Sequence, residues 1–112
     1  MTKRFLDSKI RDVRITGAFL EYEGSITIDE DYIEAAGMLP YQEVHVLNLE
    51  NGKRFTTYII KGVRGSKAVE LNGPAAREGV VGDRLMVLAY VALTPEEIPL
   101  HTPRVVSAKS FK

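Results

Sequence analysis

A single, mainly β domain is what this sequence predicts, on three observations: short apolar or alternating runs, turn residues spaced between them, and few helix signals. The run KIRDVRIT (9–16) reads as the first strand, and FLEYEG (19–24) and SITI (25–28) read as two more, with the pair Gly24-Ser25 between them. Asp29 is placed to cap a short helix over DYIEAA, with Gly37 as its C-terminal stop. VHVLNL and RFTTYII flank Glu50-Asn51-Gly52-Lys53, where Asn-Gly supplies the positive φ angles of a two-residue hairpin turn. KAVEL and DRLMVLAYVAL, the latter introduced by Gly82-Asp83, are the remaining strands. Pro74 stands at a first helical position in GPAAREG, and Thr94-Pro95-Glu96-Glu97 can start one turn. From Pro99 onward the chain is less patterned, and no repeat, linker or low-complexity segment interrupts it.

Composition narrows the functions this fold can serve. A chain of 112 residues fits one domain with one core. Fifteen basic residues balance fifteen acidic ones, so no whole-chain field draws the protein to nucleic acid or an anionic membrane. The absence of cysteine removes disulfides, thiolate catalysis and nearly all structural zinc sites. MTKRFLDSKIRDV is charged throughout and unlike a signal peptide, and no apolar run approaches the ~20 residues of a spanning helix. These features read as a soluble cytoplasmic protein.

The usual catalytic signatures are missing. His45 and His101 have no second imidazole or carboxylate at a metal-binding spacing, and His45 reads as a satisfied or solvent-facing strand histidine. There is no GxSxG elbow, P-loop or GxGxxG fingerprint. Taken singly, Gly24-Ser25 is an ordinary turn, Arg54 a strand-edge charge and Tyr58 a half-buried aromatic. Alternation along RFTTYII puts Arg54, Thr56 and Tyr58 on one face and Phe55, Thr57 and Ile59 on the other.

The joint pattern is more specific. YEGSITID followed by AAG, NGKRFTTY, RGS, LNGPAA and VGD, in that order over most of the chain, resembles the L-aspartate α-decarboxylases, pyruvoyl-dependent enzymes that make β-alanine for pantothenate and coenzyme A. The resemblance implies a double-ψ β-barrel with short helical turns, assembled as a homotetramer with active sites at subunit interfaces. It implies a single domain over 1–112 that cleaves itself at Gly24-Ser25 into a β chain, 1–24, and an α chain, 25–112. The serine hydroxyl attacks the preceding carbonyl to give an ester; elimination and hydrolysis then leave a pyruvoyl group where Ser25 stood. Glycine suits the acyl side because it tolerates an unusual backbone conformation and presents no side chain to the attacking oxygen. That group, with neither metal nor pyridoxal phosphate, forms a Schiff base with the substrate and accepts the electrons released with carbon dioxide.

Further roles carry over residue by residue. Arg54 matches the substrate-carboxylate binder, Lys9 a second cation near the site, and Tyr58 the proton donor to the carbanion. Thr57 matches a residue beside the cleavage point that contacts substrate and assists maturation; it must reach the site from the opposite face or through a bulge. Asn72, Gly73, Pro74 and Ala75 match the loop that contacts substrate and intermediates. The chain departs from the pattern at Arg11, where familiar members carry His, at Pro74, where they carry Ala, and at Ile26, where small or sulfur-bearing residues are common. Some enteric relatives need a maturation partner. A non-catalytic barrel that kept the motifs structurally, or a related enzyme acting on glutamate, are the competing readings.

Overall fold

The computed structural model describes residues 1–111. Eight strands are found among them: β1 (Lys3–Arg14), β2 (Gly17–Phe19), β3 (Ser25–Asp29), β4 (Glu43–Asn48), β5 (Arg54–Gly62), β6 (Val69–Asn72), β7 (Arg84–Leu93) and β8 (Arg104–Ser107). One helix, α1 (Glu30–Ala36), and three short 3-10 turns complete the described elements. The strands form one mixed sheet in the order β2-β6-β3-β5-β4-β7-β1-β8. The sheet curls on itself where the chain leaves β1, because the Thr16 N–H donates to the Val69 carbonyl at 2.8 Å and the Val69 N–H returns to Thr16 Oγ1 at 2.9 Å. The result is the mainly β, barrel-like fold that the sequence predicts.

Inside the curl lie Ile10, Ile26, Ile28, Val44, Val46, Ile59, Leu71, Leu85 and Val87, all essentially inaccessible to water. Burying each such side chain contributes about 2 kcal/mol, so the alternating strands hold the barrel mainly through this shared interior. Ile26 belongs to that interior, between Ile59 on β5 and Leu71 on β6, so the departure from the family pattern at this position is a core substitution.

Local chemistry accounts for the helical pieces. The Asp29 side chain accepts from the Asp31 N–H at 2.8 Å and starts α1, which stops at Gly37 as predicted. Pro74 opens the 3-10 turn Gly73–Arg77, again as predicted. Thr94 and Glu97 cap each other reciprocally, the Thr94 N–H donating to Glu97 Oε1 at 2.8 Å, and the turn they start runs into the 3-10 segment Ile98–Leu100.

Four expectations change. The first strand begins at Lys3 rather than Lys9, because β7 continues past it and supplies partners up to Lys3↔Leu93 despite the charged sequence. FLEYEG is strand only at Phe19; from Leu20 the chain turns. The β4–β5 hairpin forms, but its connection has five residues, Leu49 to Lys53, with Asn48 N–H donating to the Lys53 carbonyl at 2.9 Å. Only Gly52 takes a positive φ in it; Asn48 and Asn51 shape the loop with their side chains, whose oxygens accept from the Glu50 and Lys53 N–H groups and whose amides both donate to the Glu78 carbonyl. Finally, the unpatterned tail contains β8, which pairs in parallel with β1 from Ser8↔Arg104 to Arg11↔Ser107.

Candidate active site

The site follows from how strands flank β6. β2 runs parallel to β6 on one side, pairing Phe19 with Asn72, while β3 runs antiparallel on the other, pairing Ser25 with the same Asn72. Residues 20–24 must therefore cross the end of β6, and they do so over Gly73. With φ at +67° Gly73 sits in the left-handed region, and a Cβ there would collide with the Tyr22 carbonyl oxygen and stand 2.8 Å from the Gly24 nitrogen. Gly24 itself is not in that region, and a Cβ on it would meet only Pro74 Cδ at 3.9 Å. The requirement for a left-handed backbone therefore falls on Gly73 and not on Gly24.

Ser25, the first residue of β3, is 4% exposed. Asn72 Nδ2 donates to Ser25 Oγ and to Thr27 Oγ1, both at 2.9 Å, so one amide fixes both hydroxyls and leaves the Ser25 proton free to be given away. Ser25, Thr27, Tyr58, Ile60, Glu70 and Asn72 share the outward face of β3, β5 and β6 and, with Phe19, Tyr22 and Glu23, line an open cleft of about 600 Å³. That is room for a small amino acid. Thr27 and Glu70 were not singled out from the sequence, although Thr27 is two residues from Ser25 on an extended strand and must share its face.

Gly24, Thr57, Pro74 and Ala75 meet in a second hollow at the adjoining end of the barrel. β3 pairs with β5 only from Ile26↔Ile59 onward, which leaves the edge of β5 open beside Gly24. The β4–β5 ladder passes Thr57 without a register shift, so Thr57 reaches this hollow from the face opposite Tyr58 and not through a bulge.

Arg54 and Lys9 are elsewhere. Arg54 and Tyr58 share a face of β5 but stand about 13 Å apart along it. The Arg54 side chain turns to β4 and β7, where Nη2 donates to His45 Nδ1 at 3.2 Å and to the Tyr90 hydroxyl at 3.1 Å. His45 is thus a satisfied strand histidine. Lys9 lies on β1 between Leu88 and Val105. Arg11 is exposed and pairs with its neighbour Asp12 at 3.1 Å.

Fold and site together define a small-molecule enzyme built on a β-barrel, with a buried serine in an open cleft of mixed polar and apolar lining. The chain belongs to the aspartate decarboxylase family, whose model matches residues 1–111. It is 46% identical to the aspartate 1-decarboxylase of Tolumonas auensis, over 95% of this chain and 84% of that protein. It is 52% identical to that of Salinibacter ruber, over 95% and 73%, and 49% identical to that of Maricaulis maris, over 95% and 88%.

Proposed function

We propose that this chain decarboxylates L-aspartate to β-alanine and carbon dioxide after splitting itself between Gly24 and Ser25. The observation that carries the reading is the Ser25 hydroxyl, buried in the cleft, oriented by Asn72 and joined to Gly24 at the end of the crossing loop. In the splitting step Ser25 Oγ bonds to the Gly24 carbonyl carbon, the Gly24–Ser25 C–N bond breaks, and the freed nitrogen takes the proton. Loss of the Ser25 Cα proton then expels the Gly24 carboxylate, and water releases ammonia to leave the pyruvoyl group. Surroundings of Asn72 and Thr27 suit a carbonyl at this position, because an amide and a hydroxyl can both donate to its oxygens. The pyruvoyl group supplies the electron sink that no ordinary side chain provides.

This chain's own residues do the rest. Tyr58 lines the same cleft as Ser25 and holds a phenolic proton for the carbon that loses its carboxylate. Thr57, in the hollow against Gly24, assists the splitting step. Asn72 faces the cleft, and Gly73, Pro74 and Ala75 carry the same loop on beneath Gly24 and into the adjoining hollow, so the loop contacts substrate through Asn72. The cleft is lined by two carboxylates, Glu23 and Glu70, and by no lysine or arginine, so a dianionic substrate needs cations from outside it. Arg54 and Lys9 of a neighbouring copy in a homotetramer supply them. β-Alanine production places the chain in the cytoplasmic supply of pantothenate and coenzyme A, with a maturation partner where splitting is slow.

Intact mass under denaturing conditions tests the reading. Two species are expected, one ending at Gly24 and one starting at position 25 and lighter by one ammonia than a serine-initiated fragment, and Ser25→Ala should give one species that releases no carbon dioxide from L-aspartate. A full-length wild-type chain that neither splits on prolonged incubation nor turns over L-aspartate would favour a non-catalytic barrel. Co-expressing Ser25→Ala with Arg54→Ala tests the shared site: recovered activity means that the two residues come from different copies.

A further inference from the structure

Arg54 is held by two neutral side chains at once. Arg64 and Arg84 are engaged by carboxylates, of Asp31 and Glu34 and of Glu50 respectively. Arg54 instead donates to two neutral acceptors from two other strands, His45 Nδ1 on β4 and the Tyr90 hydroxyl on β7, and among the described residues it forms no ion pair. A guanidinium has no lone pair to offer, so His45 Nδ1 is the acceptor and the neutral ring carries its proton on Nε2. The two acceptors support each other, the His45 ring meeting the Tyr90 ring edge-on at 5.0 Å. The Arg4 guanidinium lies over the Tyr90 ring at 5.9 Å and steadies it further.

The choice of acceptor matters electrostatically. A carboxylate would fix the guanidinium equally well but would cancel its charge; neutral acceptors fix it and leave the charge for an incoming anion. Freezing a long side chain before binding lowers the ordering cost that the ligand must otherwise meet. We propose that His45 and Tyr90 are positioning residues that hold Arg54 ready for the substrate carboxylate. The inference rests on Arg54 being that anchor. Both acceptors engage Nη2, so Nη1 and Nε keep their protons for an incoming carboxylate while the side chain stays held.

The test compares KM and kcat for L-aspartate in wild type, Tyr90→Phe, His45→Leu, Arg54→Lys and the double variant Tyr90→Phe/Arg54→Lys, each first checked by denaturing mass for complete splitting. Tyr90→Phe removes one oxygen and keeps the ring under Arg4; it should raise KM about tenfold, the size of one hydrogen bond to a charged group, with kcat unchanged within about twofold. His45→Leu should act in the same direction, and Tyr90→Phe should add nothing once Arg54 is lysine. The proposal is overturned if both single variants leave KM unchanged while Arg54→Lys raises it, if Tyr90→Phe lowers kcat instead, or if its effect persists in the Arg54→Lys background. If Arg54→Lys itself leaves KM unchanged, the anchor role fails first and the positioning role with it.

Discussion

Gly73 lies directly beneath Gly24, so close that a Cβ on Gly73 would stand 2.8 Å from the Gly24 nitrogen. The clash is with backbone, which cannot rotate aside as a side chain would, and the left-handed φ of +67° adds about 1–2 kcal/mol for any residue with a Cβ. Gly73→Ala should therefore lift the crossing loop and move the Gly24 carbonyl away from Ser25 Oγ. We expect splitting at least about tenfold slower, followed by intact mass over time, since a small misplacement of reacting atoms costs on this scale or more. Wild-type splitting in this variant would show that the loop's seat on Gly73 does not set the geometry.

Tyr58 separates making the enzyme from running it. It faces the cleft, while Thr57, on the other face, lies against Gly24. Tyr58→Phe keeps the ring beside Tyr41, whose centroid is 6.3 Å away, and removes only the proton. The expected result is complete splitting by mass with kcat down about 100-fold or more, the usual worth of a positioned proton donor. Undiminished carbon dioxide release would remove Tyr58 from that role.

Asp29 is a buried carboxylate that stabilises the fold away from the site. It accepts backbone N–H groups from Asp31 at 2.8 Å, Gly65 at 3.1 Å and Lys67 at 2.6 Å, joining the start of α1 to the loop before β6. Asp29→Asn keeps the shape but turns an NH2 group toward one of these donors. A loss of about 2 kcal/mol is expected, because a charge-assisted bond is replaced by two facing donors in a buried place. Urea unfolding measures it; an unchanged midpoint would mean that the loop repairs itself.

Acid should weaken the fold in a defined window. The Ser107 hydroxyl and then Arg11 hold the Asp12 carboxyl below its ordinary value; Arg84 does the same for Glu50, Asn48 for Asp83 and the Thr94 N–H for Glu97. A carboxyl whose folded pKa is depressed stabilises the folded state above its unfolded pKa of about 4 and loses that contribution as pH falls through the folded value. Tm should be level from neutral pH down to about 5 and fall below about 4. Asp12→Asn should lower Tm at neutral pH and flatten part of that fall, since Asp12 ties the bulge of β1 to β8 through Ser107 Oγ at 2.6 Å. A Tm that stays level to pH 3 would contradict this.

Much of the fold was legible because the chemistry involved is local. Asp29 as a cap, Gly37 as a stop and Pro74 at the start of a turn each depend on a few consecutive residues and are found where the sequence puts them; the β4–β5 hairpin is also found there, though not with the two-residue Asn-Gly turn. The faces of β5 were equally legible, because side chains alternate on any strand. Missed were Lys3 to Ser8 and β8, whose charged or unpatterned sequences become strand only because β7 and β1 offer them partners.

The candidate site divides along the same line. By its own composition and motif order the sequence determined a mainly β chain of the aspartate decarboxylase family and singled out Gly24, Ser25, Arg54 and Tyr58. Only the tertiary structure decided that Asn72 stands across from Ser25, that Gly73 carries the crossing loop, that Thr57 approaches from behind, and that Arg54 is turned toward His45 and Tyr90. Those relationships join residues 33 to 49 positions apart or, for Arg54 and His45, lying on different strands, and no propensity acts over such a distance. Strand register sets them, and register is chosen by which pairing lets every apolar face reach one common core.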